Sequence, residues 1–287
     1  MLDPGRVHDW FGPAWIVMLG IRGAISFAAF LIWELTDANP VVNVRVFRFR
    51  GFSFATVAIS LGFGAFFSQV VLTPLWLQQV AGYTATETGF IVAWIGCFAV
   101  LFSPLAAGLL TKIDVRITVC AGILWMALMS ILRARWNTDV DYWSLALPHL
   151  LQGMGMPFFF VGLTALALSS VPAKDQTSAA GLMSFLRTLS GAIGTAIATT
   201  AWDDASRVSR AELVPALNGA AETMDKMQNA GLTTEQARAA LDRIVDVQAS
   251  TLGVLHIFLA AGTVFVIAAA AVWLIPRPKT ISMGASH

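Results

Sequence analysis

Charged side chains are scarce in this sequence, and the scarcity decides its class. Only 12% of the 287 residues are charged, against about a quarter in an average soluble domain, while 57% are hydrophobic and the mean hydropathy is +0.71. A water-exposed surface cannot be built from that composition. The formal net charge of +1 gives no reason to propose a nucleic-acid partner. Cysteine is equally sparse: Cys97 and Cys120 both fall within apolar runs, which argues against a disulfide framework and makes them packing residues. The chain also lacks a metal-ligand cluster, a phosphate-binding loop and a nucleophile elbow. Neither an enzyme nor a bound cofactor is therefore expected.

Long apolar runs are present instead, at 13–33, 52–77, 89–111, 117–132, 144–169, 179–202 and 252–275. A helix needs roughly 20 such residues to cross a hydrocarbon core of ~30 Å. The runs are too long and too uniformly apolar for barrel strands, so the fold class is an all-α membrane protein of about seven transmembrane helices. The run 117–132 is the shortest, bracketed by Arg116 and Arg133, whose long side chains are expected to snorkel to the two interfaces.

Lys and Arg concentrate in alternate short loops: Arg45, Arg48 and Arg50; Lys112 and Arg116; Lys174; Arg277 and Lys279. The positive-inside rule places these in the cytoplasm, which makes the chain a multi-pass inner-membrane protein with its N-terminus outside and its C-terminus inside. Residues 1–12 have no secretory-signal character. Met1 is therefore expected to be an internal start or a truncation, with residues 1–12 a loop after an earlier helix; the alternative is a short translocated N-terminus.

This divides the chain into an outer loop with an extra transmembrane helix (1–34), a cytoplasmic linker (35–51), a six-helix bundle (52–275) and a cytoplasmic tail (276–287). Six helices built as three plus three make half of many secondary transporters. Within the bundle, 203–250 is a polar extracytoplasmic loop. There Thr233 and Gln236 read as a capping box opening a helix, with Ala237, Ala240, Leu241, Ile244, Val245 and Val247 as its apolar stripe. Such a hairpin either docks a periplasmic adaptor protein or simply caps the domain.

Ionisable groups at membrane depth are costly, so the few present matter. Arg187, beside Thr188, lies in a helix whose Gly181, Gly191, Gly194 and Thr195 permit close helix approach. It lines a cavity or binds backbone carbonyls. Arg22 reads as structural or headgroup-facing. The stretch from His149 through Gln152, Met156, Pro157, Phe158 and Phe159 predicts a kinked helix with a polarizable, aromatic surface, suited either to a permissive apolar pocket or to packing. Gln69 and Gln152 are its polar neighbours. No Asp or Glu lies inside any of the seven runs, so a proton carrier must be sought elsewhere. The run 252–275 has no Lys for a retinal Schiff base, which weighs against a seven-helix photoreceptor.

The run Leu77-Gln78-Gln79-Val80-Ala81-Gly82-Tyr83-Thr84-Ala85-Thr86-Glu87-Thr88-Gly89 resembles the L-Q-x-x-x-G-x-T-A-x-x-x-G stretch of EmrB/QacA-type drug:proton antiporters, the fourteen-helix branch of the major facilitator superfamily. The resemblance continues through Asp9-Trp10-Phe11, Trp33-Glu34-Leu35-Thr36-Asp37 and 185–195. The loop 108–116 is similar to the superfamily's G-x-L-A-D-R-x-G-R gate loop, with Lys112, Asp114 and Arg116 as its charged members. Lys112 stands in place of the usual Asp, and Val115 in place of the second Gly. The resemblance implies the C-terminal portion of a multidrug exporter: one extra helix plus a six-helix C-terminal bundle, forming one wall of a cavity for lipophilic drug-like molecules. The N-terminal half would be a separate or missing partner, and this piece would be inactive alone. A seven-helix receptor and a degenerate, non-transporting membrane protein are the competing readings.

Overall fold

The computed structural model describes residues 44–215 and 219–276, with scattered positions between 18 and 33. A 3-10 turn, Val44–Arg48, leads into α1 (Arg50–Gln79), followed by α2 (Ala85–Lys112), α3 (Val115–Arg133) and α4 (Tyr142–Ser169). After a second 3-10 turn at Ala173–Asp175 come α5 (Gln176–Leu213), the short α6 (Ala220–Asn229) and α7 (Thr234–Val272). All but α6 are long and apolar enough to cross a membrane. No strand occurs among the described residues. Of the extra segment 13–33 only single helical positions are described, Arg22 among them, and these are exposed. The rest of that segment, the loop 1–12, most of the linker and the tail 277–287 lie outside the described residues.

The helix ends follow local chemistry. At the end of α1 the Val80 N–H donates to Trp76 O and the Tyr83 N–H to Leu77 O, with Gly82 at φ +77° making the turn. Thr84 and Glu87 then form a capping box that starts α2. The family-like run 77–89 is thus a helix stop and a helix start joined by a glycine. Asp114 caps α3 by accepting from the Arg116 N–H. Asp141 caps α4, accepting from the Trp143 and Ser144 N–H groups and from the Ser144 hydroxyl, and these bonds, the hydroxyl's first, hold its carboxyl below the usual carboxylate range. The helix α4 runs unbroken through Pro148 and Pro157.

Packing falls into two halves. The helix α4 carries α2 along one side and α3 along another, and α1 likewise packs on α5 and α7, which also pack on each other whereas α2 and α3 scarcely touch. The halves meet where α1 touches α4 and α3 touches α7. The end of the bundle bearing the chain's described beginning and Ile275, hereafter the tail end, is filled by Phe52, Ile59, Phe159, Leu163 and Phe265. The opposite, hairpin end holds Leu72, Trp76, Trp136, Trp202 and Phe258. Its indoles are tied down: Trp76 Nε1 donates to Thr251 Oγ1 at 3.2 Å, Trp136 Nε1 to Ser144 O at 3.2 Å and Trp202 Nε1 to Ser250 O at 2.9 Å. By contrast α2 buries only Thr88, Ile91, Ala106 and Leu110, so most of its apolar surface faces outward.

The polar stretch 203–250 is not a separate loop. The helix α5 continues unbroken from its apolar part to Leu213, and α7 begins at Thr234, so both project beyond the apolar zone as a stalk bridged by α6. At ~1.5 Å per residue, the 38 residues of α5 and 39 of α7 far exceed a bilayer's thickness. Hydropathy marks where lipid ends, whereas a helix ends only where capping or a breaker stops it. Arg210 clamps the stalk by binding both Asp242, at 2.5 Å, and Asp246. The capping box at Thr233 and Gln236 is formed, and Ala237 and Val245 of the expected stripe are buried, but Ile244 is exposed.

Candidate functional site

A large open cleft is cut between α1, α4 and α5, with a volume of about 760 Å³. Two of the helices that line it cross closely. A Cβ placed on Gly194 would lie 2.5 Å from the Cα of Gly64, so α1 and α5 touch backbone to backbone. On the cleft side of these helices Arg187, Thr188 and Thr195 of α5 line the space together with Phe63, Phe67 and Phe160. The Arg187 guanidinium carbon stands 5.0 Å from the Phe63 ring centre, and Phe63 meets Phe160 edge to face at 4.7 Å. The Thr188 and Thr195 hydroxyls donate back to Ser184 O and Gly191 O, which leaves their oxygens as acceptors. Chemically the cleft offers flat aromatic contact, one cation and two hydroxyl acceptors. Among the described residues Arg187 makes no hydrogen bond or ion pair.

The two glutamines expected beside the pocket are elsewhere, inside the bundle. They hold Arg133. Its Nη1 donates to Gln69 Oε1 at 2.8 Å and its Nη2 to Gln152 Oε1. Arg133 is 1% exposed, which corrects the expectation that it snorkels to an interface. Its side chain turns inward because α1 and α4 present amide oxygens within reach of the end of α3. Neighbouring His149 gives Nδ1 to Leu145 O at 2.8 Å; a carbonyl only accepts, so Nδ1 carries the proton. The His149 ring stacks on Trp136, 5.9 Å between centres. A sequence signal for this cluster did exist, since two glutamines in apolar runs each need a partner.

The aromatic stretch of α4 divides among three environments. Phe159 is fully buried, its ring filling the space left by Gly62. Phe158 lines a different cavity, about 310 Å³, with Ile117 and Trp125. Met156 is half-buried against the tail-end core. Phe160, with Phe63 and Phe67, is the aromatic group that reaches Arg187, and the last two escaped the sequence reading because nothing distinguishes them from lipid-facing phenylalanines.

In the gate-like loop the structure brings together Asp114 and Arg116 but leaves Lys112 exposed. Arg116 is buried, pairs with Asp114 at 3.1 Å, donates to Ile275 O at 3.0 Å and lies 5.9 Å from the Trp273 ring centre. It therefore ties the start of α3 to the end of α7, where carbonyls lack helical partners. Arg116→Ala is expected to lower the melting midpoint of the detergent-purified chain by roughly 3–10 °C, because a hydrogen bond to a charged group contributes about 1.5–3 kcal/mol. A thermal unfolding curve measures this, and an unchanged midpoint would make the tie decorative.

A sequence model described as Major Facilitator Superfamily matches residues 5–195. Multidrug export protein EmrB of Haemophilus influenzae is 35% identical over 283 residues, which are 97% of this chain and 56% of that protein. Its Escherichia coli K12 counterpart is 31% identical, with 97% and 55% covered, and fatty acid resistance protein FarB of Neisseria gonorrhoeae is 31% identical, with 100% and 57% covered. The chain spans about half the length of the curated relatives it matches. With the family match covering most of the sequence and six membrane-capable helices packed into one bundle, this multi-pass membrane chain belongs to the Major Facilitator Superfamily.

Proposed function

We propose that the chain supplies the C-terminal half of a proton-coupled multidrug exporter of the inner membrane, forming one wall of its substrate pathway. The observation that carries this reading is the open cleft in which Arg187 lies over Phe63, with Phe67, Phe160, Thr188 and Thr195 around it. Aromatic walls and few directional groups suit lipophilic molecules of varied shape. The single cation favours those carrying an acidic or acceptor group, in keeping with the name of one relative, a fatty acid resistance protein. The proton carrier belongs to the other half, because the apolar runs here hold no carboxylate. Positive-inside counting puts the hairpin end outside and the tail end in the cytoplasm. The stalk of α5 and α7 then offers a surface for a periplasmic adaptor.

The test is export from cells that produce this chain together with an N-terminal seven-helix partner. Efflux is expected from the pair and from neither piece alone. In the pair, Arg187→Ala is expected to cut efflux of lipophilic acids roughly tenfold, the scale of one charge-assisted hydrogen bond, while lipophilic cations are still exported. Substrate-driven proton movement by this chain alone in liposomes would overturn the half-transporter reading. Equal loss for acids and cations would overturn the role given to Arg187.

A further inference from the structure

The cluster around Arg133 is not used by the proposed pathway, and its charge is left uncancelled. An arginine cannot shed its proton in a protein, yet Arg133 is 1% exposed. Its described hydrogen bonds go to the amide oxygens of Gln69 and Gln152. Those oxygens satisfy N–H groups but carry no net charge, and no carboxylate bonds to Arg133 among the described residues. A buried ion without an opposite charge is among the costliest arrangements a protein can hold.

Beside the guanidinium lies a small cavity of about 20 Å³, bounded by Gln69, Arg133, His149 and Gln152 and by apolar side chains including Val92 and Ile95. That is room for one particle near the size of a water. Two buried donors on its wall have no partner, Arg133 Nε and Gln152 Nε2. Of the neighbouring groups, Gln69 Nε2 gives one hydrogen to Ala65 O, and His149 Nδ1 gives its hydrogen to Leu145 O, which leaves His149 Nε2 as an acceptor. The wall therefore offers unspent donors and a fixed positive charge in a low-dielectric setting. A water accepts both hydrogens but leaves the charge as it was.

We propose that this cavity binds a single monatomic anion, chloride in the cell, held by Arg133 and Gln152 between α1, α3 and α4. The anion completes the core at the hairpin end and makes the packing of these three helices depend on halide. The site is separate from the Arg187 cleft, and the proposal stands whatever the cleft transports.

The experiment is a melting series on the detergent-purified full chain, with sodium chloride or sodium bromide replacing sodium gluconate at constant ionic strength. A saturable rise in midpoint is expected with either halide, reaching roughly 5–10 °C at a hundredfold excess over the dissociation constant. Gln152→Glu supplies the negative charge covalently and with little change of shape. It is expected to melt in gluconate near the wild type's chloride value and to lose the halide response. Crystals grown with bromide should show its anomalous signal within hydrogen-bond distance of Arg133 Nε. Identical wild-type midpoints in chloride and gluconate would overturn the site, as would a full halide response in Gln152→Glu or a water with no anomalous signal in the cavity. Acetate and laurate form the discriminating arm: a rise with these carboxylates equal to that with chloride would show that the site takes an acid group of a larger ligand, and the halide assignment would fall.

Discussion

Replacing Gly194 by leucine is expected to keep the six-helix bundle from assembling. A Cβ at this position meets the Cα and carbonyl oxygen of Gly64 at 2.5 Å and its carbonyl carbon at 2.7 Å. These are backbone atoms, so no rotamer change relieves the clash and the whole of α1 must move away from α5. Overpacking where side chains can adjust costs about 1–3 kcal/mol; here the contact between two of the longest helices is lost and the cleft at Arg187 opens with it. Size exclusion in detergent should show Gly194→Leu aggregated or absent from the monodisperse peak, and Gly194→Ala should melt well below the wild type. Gly181→Leu is the matched control, because nothing lies within 4 Å of the position its Cβ would take. Equal elution and melting of Gly194→Leu and the wild type would mean that α1 and α5 do not meet at these glycines.

The sequence made the glycines of α5 visible as a group, and their different duties could not be separated there. Gly194 faces a backbone, Gly191 faces the ring of Phe67, and Gly181 faces open space. All three lie on one helix, and only the rotation of α5 against α1 distinguishes them. The same limit applies to the six crossing helices. Their existence follows from run length and from the cost of unpaired backbone in lipid. How far they continue does not, because a capped helix such as α7 runs on through a polar stretch until it meets its own terminator.

Arg187 was legible because an arginine well inside an apolar run is rare, whereas Arg133 was misread because it ends its run. Position along one helix says whether a side chain can reach an interface. It does not say whether neighbouring helices offer something nearer, and here Gln69 and Gln152 do. Chemically plausible neighbours in sequence also parted company: Phe158, Phe159 and Phe160 point to three environments, as successive residues spaced about 100° around a helix must.

The second large effect is expected from Gln152→Leu. The substitution keeps volume and removes one of the two amide oxygens that hold Arg133, leaving a buried guanidinium short of partners. Breaking a buried charged network in this way typically costs about 3–5 kcal/mol, so the melting midpoint should fall by roughly 6–20 °C. If the cost comes from the stranded charge, removing the charge as well must restore stability. The triple variant Arg133→Met, Gln69→Leu and Gln152→Leu is therefore expected to melt within a few degrees of the wild type, since apolar groups of similar size can replace a buried polar set at little cost. The pair of measurements separates two explanations of the cluster. Should the triple variant melt as low as Gln152→Leu, the loss would belong to shape and packing at the junction of α1, α3 and α4. Recovery would mean that these helices are held in a polar arrangement that stability alone does not require.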